Sequence, residues 1–257
     1  MKKTIIISSV LIGIIGLIAI LFGFVFCLRD QRVIVVGEDI NYSTEDIIST
    51  AGLKTGSPIF MLDKATAIDK IETEFINIKV IQIVTTSPFS VDIRVCSRYK
   101  TYYVEYGDDY YALDEELKVL DVVDEEPLEL IKLNIDIEKV YREGDFILST
   151  NASLMNSLYE GIYTTTLESE GRQSHLDMCE LVESISFDKD YTLTGEYSRL
   201  IITLRSGVIL DIGKPDTELE RKLNICFTYM EENAIASGRL RAYYDANDNE
   251  SFLKIDN

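Results

Sequence analysis

Histidine is almost absent from this chain: His175 is the only one in 257 residues. That excludes a His-based metal pair, and any catalytic triad would hang on this one side chain, which the polar run GRQSHLD places in a loop. A solvated loop histidine is the simpler expectation. There is also no Gly-rich phosphate loop, no CxxC pair and no stripe of alternating bases and aromatics. No cofactor is expected. Cysteine is sparse and scattered, at Cys27, Cys96, Cys179 and Cys226. The last three make neither a disulfide framework nor a zinc pattern. One bridge among them is open outside the cytoplasm, without the sequence choosing a pair; buried thiols are the default.

Charge is missing from Thr4 to Leu28, 25 positions in a row. As a helix at about 1.5 Å per residue this run reaches roughly 37 Å, more than the ~30 Å hydrocarbon core. The bulky exit, Phe24-Val25-Phe26-Cys27-Leu28, argues against signal cleavage and against lipid attachment at Cys27. An uncleaved, single-pass anchor is therefore expected over residues 1–28, its basic tip Lys2-Lys3 in the cytoplasm and the rest outside. The exported part carries 23 bases against 44 acids, a net of −21. Such a surface repels nucleic acid and anionic headgroups, favours solubility, and suits a basic partner.

After the anchor, RVIVVGED (Arg32 to Asp39) reads as a strand ending in a Gly-acid turn. Ser43 caps a helix with Asp46 three residues on, Ile47, Ile48 and Ala51 form its apolar face, and Gly52 stops it. Asp63 caps a second helix carrying Ile68, Ile71 and Phe75. IKVIQIVTTSP and SVDIRVCSR are strands, the latter alternating Val91, Ile93 and Val95 against polar neighbours, with a half-buried Cys96. The order is β-α-α-β-β.

From Tyr99 the chain is β-rich. A tyrosine-rich hairpin turns at Gly107-Asp108-Asp109 and a further strand follows; Asp124 to Pro127 is an acidic turn. Asn151 to Glu170 reads as a helix with Leu154, Leu158 and Ile162 inward. Glu180 to Phe187 and Tyr191 to Thr194 read as strands, and SRLIITLRSGVILDIG as a hairpin turning at Ser206-Gly207. Asp216 caps a helix with a stripe of Leu219, Leu223, Cys226, Phe227 and Met230, stopped by Gly238. RLRAYYD and SFLKID close the chain as strands. The acids Asp108-Asp109 and Asp124-Glu125-Glu126 sit at turns, and nothing fixes two carboxylates across a cleft as a glycosidase requires. Asp245, Asn247, Asn249 and Asp256 match calcium-loop positions, but Glu250 replaces the turn glycine, and a hairpin tip accounts for the run equally well.

The stretch GLKTGSPIFMLD, Gly52 to Asp63, pushes apolar residues from a loop where polar ones are usual. Gly52 ends one helix, Gly56 and Pro58 turn the chain, and Ile59, Phe60 and Leu62 are expected to plug the space beneath two helices packed on a small sheet. With KIETEF, IKVIQI, TTSPFSVDIRV and Arg98, this stretch resembles the POTRA domain of the FtsQ/DivIB family of bacterial cell-division proteins. The order of anchor (1–28), POTRA domain (29–98) and β-rich domain with flanking helices (99–257) is also similar to the family's. The fold expected is α+β.

That resemblance implies a non-enzymatic division scaffold at the septum of the cell membrane, binding FtsL-like and FtsB/DivIC-like single-pass proteins and regulating septal peptidoglycan synthesis. It also implies that the last strand, an edge with unpaired N–H and C=O groups, receives a strand from an FtsB/DivIC-like partner. The docking surface so implied is Arg239, Leu240, Tyr243, Tyr244 and Ser251, Phe252, Leu253, Lys254 and Ile255. The sequence departs from the family at Cys96-Ser97, at Leu117 where glycine is usual, at LIKLNI, and at Arg241 where an acid is common. Two rivals are a POTRA-bearing chaperone or secretion component, which usually carries tandem POTRA domains or a barrel, and a wall-active enzyme.

Overall fold

The computed structural model describes residues 13, 14, 16, 26–37, 40–135, 137, 139–147, 158, 159, 161, 162, 175–190, 197–214, 218–245 and 250–256, with backbone alone at 175–177, 188–190, 197–198, 243–245 and 250–256. They fall into two compact units, Met1–Arg98 and Tyr99–Asn257. Among the described residues no helix is long and apolar enough to cross a membrane. The run Thr4 to Leu28 lies mostly outside them.

The first unit has strand β1 (Asp30–Val35), helices α1 (Thr44–Ala51) and α2 (Lys64–Glu74), and strands β2 (Ile78–Ser87) and β3 (Ser90–Ser97). The sheet order is β1-β3-β2, with β1 parallel and β2 antiparallel to β3. Local chemistry sets the helix ends. The Ser43 hydroxyl accepts from the Asp46 N–H, and the Asp63 carboxylate accepts from the Thr66 N–H, each satisfying a donor that the first turn leaves orphaned. Gly52 ends α1 at φ 63°, a conformation in which a side chain is strained. Ile47, Ala51, Ala67 and Ile71 face Ile78, Val91, Ile93 and Val95, all buried.

The second unit is built on one nine-stranded sheet, ordered β12-β11-β10-β9-β8-β7-β4-β5-β6. Its strands are β4 (Tyr102–Tyr106), β5 (Asp109–Leu113), β6 (Val119–Val123), β7 (Ile131–Asn134), β8 (Val182–Asp190), β9 (Tyr197–Leu204), β10 (Val208–Gly213), β11 (Gly238–Asp245) and β12 (Glu250–Asp256). Helix α3 (His175–Leu181) runs straight into β8, and α4 (Leu219–Asn233) joins the parallel pair β10 and β11. Parallel neighbours require such a crossover. On α4, Leu223, Cys226 and Phe227 are buried, with Leu219 and Met230 packed against the same core.

Several expectations need correction. His175 opens α3 instead of lying in a loop, and Glu180 belongs to that helix, not to the strand. The Ser206-Gly207 turn is a three-residue connection between Leu204 and Val208, with Gly207 at φ 91° donating its N–H to the Leu204 carbonyl. α4 stops at Ala234, in the left-handed region, four residues before Gly238. Cys96 is half-buried, as its strand position implies, while Cys179 and Cys226 are buried, and no disulfide joins these cysteines among the described residues. The cap at Asp216, the strand Tyr191 to Thr194 and most of the helix from Asn151 lie outside the described residues; Leu158 and Ile162 are buried.

Leu117 takes φ 64° while fully buried. Its turn is held by Asp114, whose carboxylate accepts from the N–H groups of Glu116 and Lys118. Left-handed backbone costs a branched residue about 1–2 kcal/mol. Deleting a buried Leu side chain costs about 2–5 kcal/mol. Packing therefore outweighs strain, and Leu117→Gly is expected to lower stability by about 1–3 kcal/mol in urea titration. A gain in stability would show that strain dominates.

Candidate docking edge

The Gly52–Asp63 connection turns at Gly56, φ 87°, then forms a single 3-10 turn, Ile59–Met61, after Pro58. Ile59 is buried and Leu62 half-buried, but Phe60 is 67 % exposed, so it forms no part of the plug. A three-residue turn points successive side chains in different directions, and only one of them meets the core. Beneath the loop lies the chain arriving from the N-terminus. Leu28 is fully buried, its N–H donates to the Ser57 carbonyl (2.9 Å), and its own carbonyl accepts from the Gly56 N–H (2.7 Å).

Arg98 closes the same unit. Its guanidinium donates to Glu72 (3.0 Å) and to the Ile78 carbonyl (3.2 Å), while Glu72 also accepts from the Val80 N–H (2.7 Å). One ion pair thus ties the end of β3 to α2 and to the start of β2.

At the C-terminal end of the second unit, β12 is the outermost strand. It pairs antiparallel with β11 from Asp245↔Glu250 to Arg239↔Asp256, bringing Tyr243 opposite Phe252 and Tyr244 opposite Ser251. Ala242 opposes Leu253, Arg241 opposes Lys254, and Leu240 opposes Ile255. Its other side has no strand neighbour among the described residues. Asp245 and Asp256 stand at opposite ends of this hairpin, about 20 Å apart at the usual strand rise, which is not the closed loop that calcium needs.

Two of the residues singled out from sequence are committed elsewhere. Leu240 is buried in the core beneath α4, because strand alternation turns it inward, and its side chain is not available to a partner. Arg239 is half-buried and donates to Asp211 (3.2 and 3.0 Å). The remaining positions, Tyr243, Tyr244 and Ser251 to Ile255, are placed by backbone register alone.

Asp211 was not anticipated. It is fully buried in β10 and gathers guanidiniums from both neighbouring strands: Arg199 on β9, and Arg239 and Arg241 on β11. Burial pushes its carboxyl up, but hydrogen bonds and charge from Arg199, Arg241 and Arg239 outweigh that and hold it below the ordinary carboxylate range. The sequence signal was an acid between Leu210 and Ile212 in an apolar strand, with arginines in the flanking strands. The cluster also accounts for Arg241 standing where an acid is common: here it is a ligand to Asp211.

No group of three or more His, Cys, Asp or Glu side chains suited to a metal occurs among the described residues. Residues 28–97 match the FtsQ-type POTRA domain. A search of curated proteins found no match to the chain. The β-α-α-β-β order of residues 28–97 and the apolar loop between its helices agree with that match, so this part of the chain is an FtsQ-type POTRA domain.

Proposed function

We propose that the chain is a non-enzymatic divisome scaffold whose N-terminus lies in the cytoplasm and whose terminal strand is completed by another polypeptide; the charge-free run from Thr4 pins it in the cell membrane and ends before Phe26, since Phe26 to Leu28 belong to the folded unit. The partner is an FtsB/DivIC-like protein that adds a strand outside β12, within an assembly that includes an FtsL-like protein and regulates septal peptidoglycan synthesis. The observation that carries this reading is the position of β12 at the end of the sheet. A strand in that place has one row of backbone groups free to template another chain. α4 packs against β10, β11 and β12, giving an incoming segment a helix to lean on.

Copurification of the full chain with a co-expressed FtsB/DivIC-like partner tests it. Leu253→Pro removes an N–H and cannot sit in a regular ladder; Phe252→Asp adds charge without removing backbone donors. Both are expected to abolish recovery of the partner. Undiminished recovery with both variants would refute the edge.

A further inference from the structure

The first unit leaves three large apolar side chains in the open at one end. Phe60 and Met61, on the 3-10 turn, are 67 % and 72 % exposed, and Phe89, between β2 and β3, is 46 % exposed. Both turns are fastened to the residues where the charge-free run ends. The Ile59 N–H donates to the Phe26 carbonyl (2.8 Å), and Cys27 forms an antiparallel bridge with Pro58. The Arg29 and Asp30 N–H groups donate to the Phe89 carbonyl (2.8 and 3.2 Å). Strand register agrees, since Asp30 opposes Ser90 and Ser87 opposes Ser90. The chain therefore reaches the folded unit between two exposed apolar turns, with no free linker in between.

We infer that Phe60, Met61 and Phe89 are a bilayer contact, entering the boundary between headgroups and acyl chains where the anchor leaves the membrane. The inference rests on the anchor reading above. As a helix, the 22 positions from Thr4 to Val25 reach roughly 33 Å, about 3 Å more than the ~30 Å hydrocarbon core, so Phe26 to Leu28, to which the 3-10 turn is bonded, fall in the interfacial zone. Large apolar side chains are stabilised there, as in interfacial anchors generally. Charge at this end agrees with a lipid occupant. Arg29 and Lys54 are exposed, while Asp30 is engaged by Arg32 and Asp63 by the first turn of α2. The POTRA unit is then held against the surface at several points instead of swinging from one helix.

The chain contains no tryptophan, so one substitution supplies a single fluorescent reporter. The full chain carrying Phe60→Trp, Phe89→Trp or Ile81→Trp is reconstituted in phosphatidylglycerol–phosphatidylcholine vesicles, with plain or brominated acyl chains. Ile81 is 46 % exposed and lies toward the far end of β2, roughly 20 Å along the strand from the Phe89 turn. Phe60→Trp and Phe89→Trp are expected to emit to the blue of Ile81→Trp and to lose intensity in the brominated vesicles. Ile81→Trp should do neither. If all three behave alike in chains that float with the vesicles, the contact is overturned, and the exposed patch belongs to a protein partner. Quenching at position 60 without quenching at 89 removes Phe89 from it. Chains that fail to float with vesicles overturn the anchor reading, and this inference with it.

Discussion

Asp211→Asn is expected to destabilise the second unit by about 3 kcal/mol, the scale for removing one member of a buried charge cluster. The wild-type carboxylate accepts from three guanidiniums and joins β9, β10 and β11 beside the proposed docking edge. Without it, three like charges face one another. Because the three arginines are partly exposed, at 29, 34 and 36 %, water relieves some of the repulsion and the effect stays at the lower end of the buried range. Replacing Arg241 by Gln in the Asp211→Asn background should then recover part of the loss, whereas Arg241→Gln alone should weaken the protein. That sign reversal is the mark of direct coupling. The same group sets a pH dependence. Its carboxyl is depressed in the folded state, so its contribution is fully present above the ordinary value of 3.8 and is lost as pH falls through the lower folded value. Wild type and Asp211→Asn should accordingly converge in stability on acidification below about pH 4. Urea-dependent thiol labelling reads the effect, because Cys179 and Cys226 are buried in this unit and burial pushes their thiols up to about 11 and 12. Both should label at lower urea in the variant; an unchanged profile would mean that the cluster does not stabilise the sheet.

Arg98→Met should lower the stability of the POTRA unit by a comparable amount, about 2–4 kcal/mol. The Arg98 side chain is 1 % exposed and its partner Glu72 20 %, so the variant leaves a carboxylate that keeps the Val80 N–H and some access to water. The lost bonds include those from the end of β3 to α2 and to the Ile78 carbonyl. Arg98→Lys should rescue little, since a single ammonium cannot present the forked donors that serve two acceptors in different directions. Cys96, two residues away and half-buried, is the thiol to follow. Its labelling should shift to lower urea while Cys179 and Cys226 hold their wild-type profile. A shift at all three thiols would contradict the placement of the Arg98 pair within one unit.

The POTRA order was legible because its signals are local: Ser43 and Asp63 are caps, Gly52 is a left-handed stop, and Val91, Ile93 and Val95 alternate. The β11–β12 hairpin was legible for the same reason, since RLRAYYD and SFLKID are separated by turn residues. What escaped was non-local or very short. Phe60 reads as core by composition, but a 3-10 turn of three residues has no period to reveal which side chain turns inward. The α3–β8 junction has no loop, so hydropathy alone put Glu180 on the wrong side of it. Ala234 ends α4 without the glycine that usually marks such a stop. Asp211 looked like one acid among 44. Its role exists only once β9, β10 and β11 are neighbours. Leu240 carries a related lesson: a family resemblance proposed the surface, and alternation along β11 removed one residue from it.

If β12 is an unfinished margin of the sheet, its backbone amides will report it by hydrogen exchange. With the full chain in lipid nanodiscs, the amides of Glu250 to Asp256 should exchange faster than those of β10 when the protein is alone. They should become strongly protected when an FtsB/DivIC-like partner is added, with lesser change across β4 to β9. A partner that binds while β12 exchanges at its original rate would contradict strand addition at this edge.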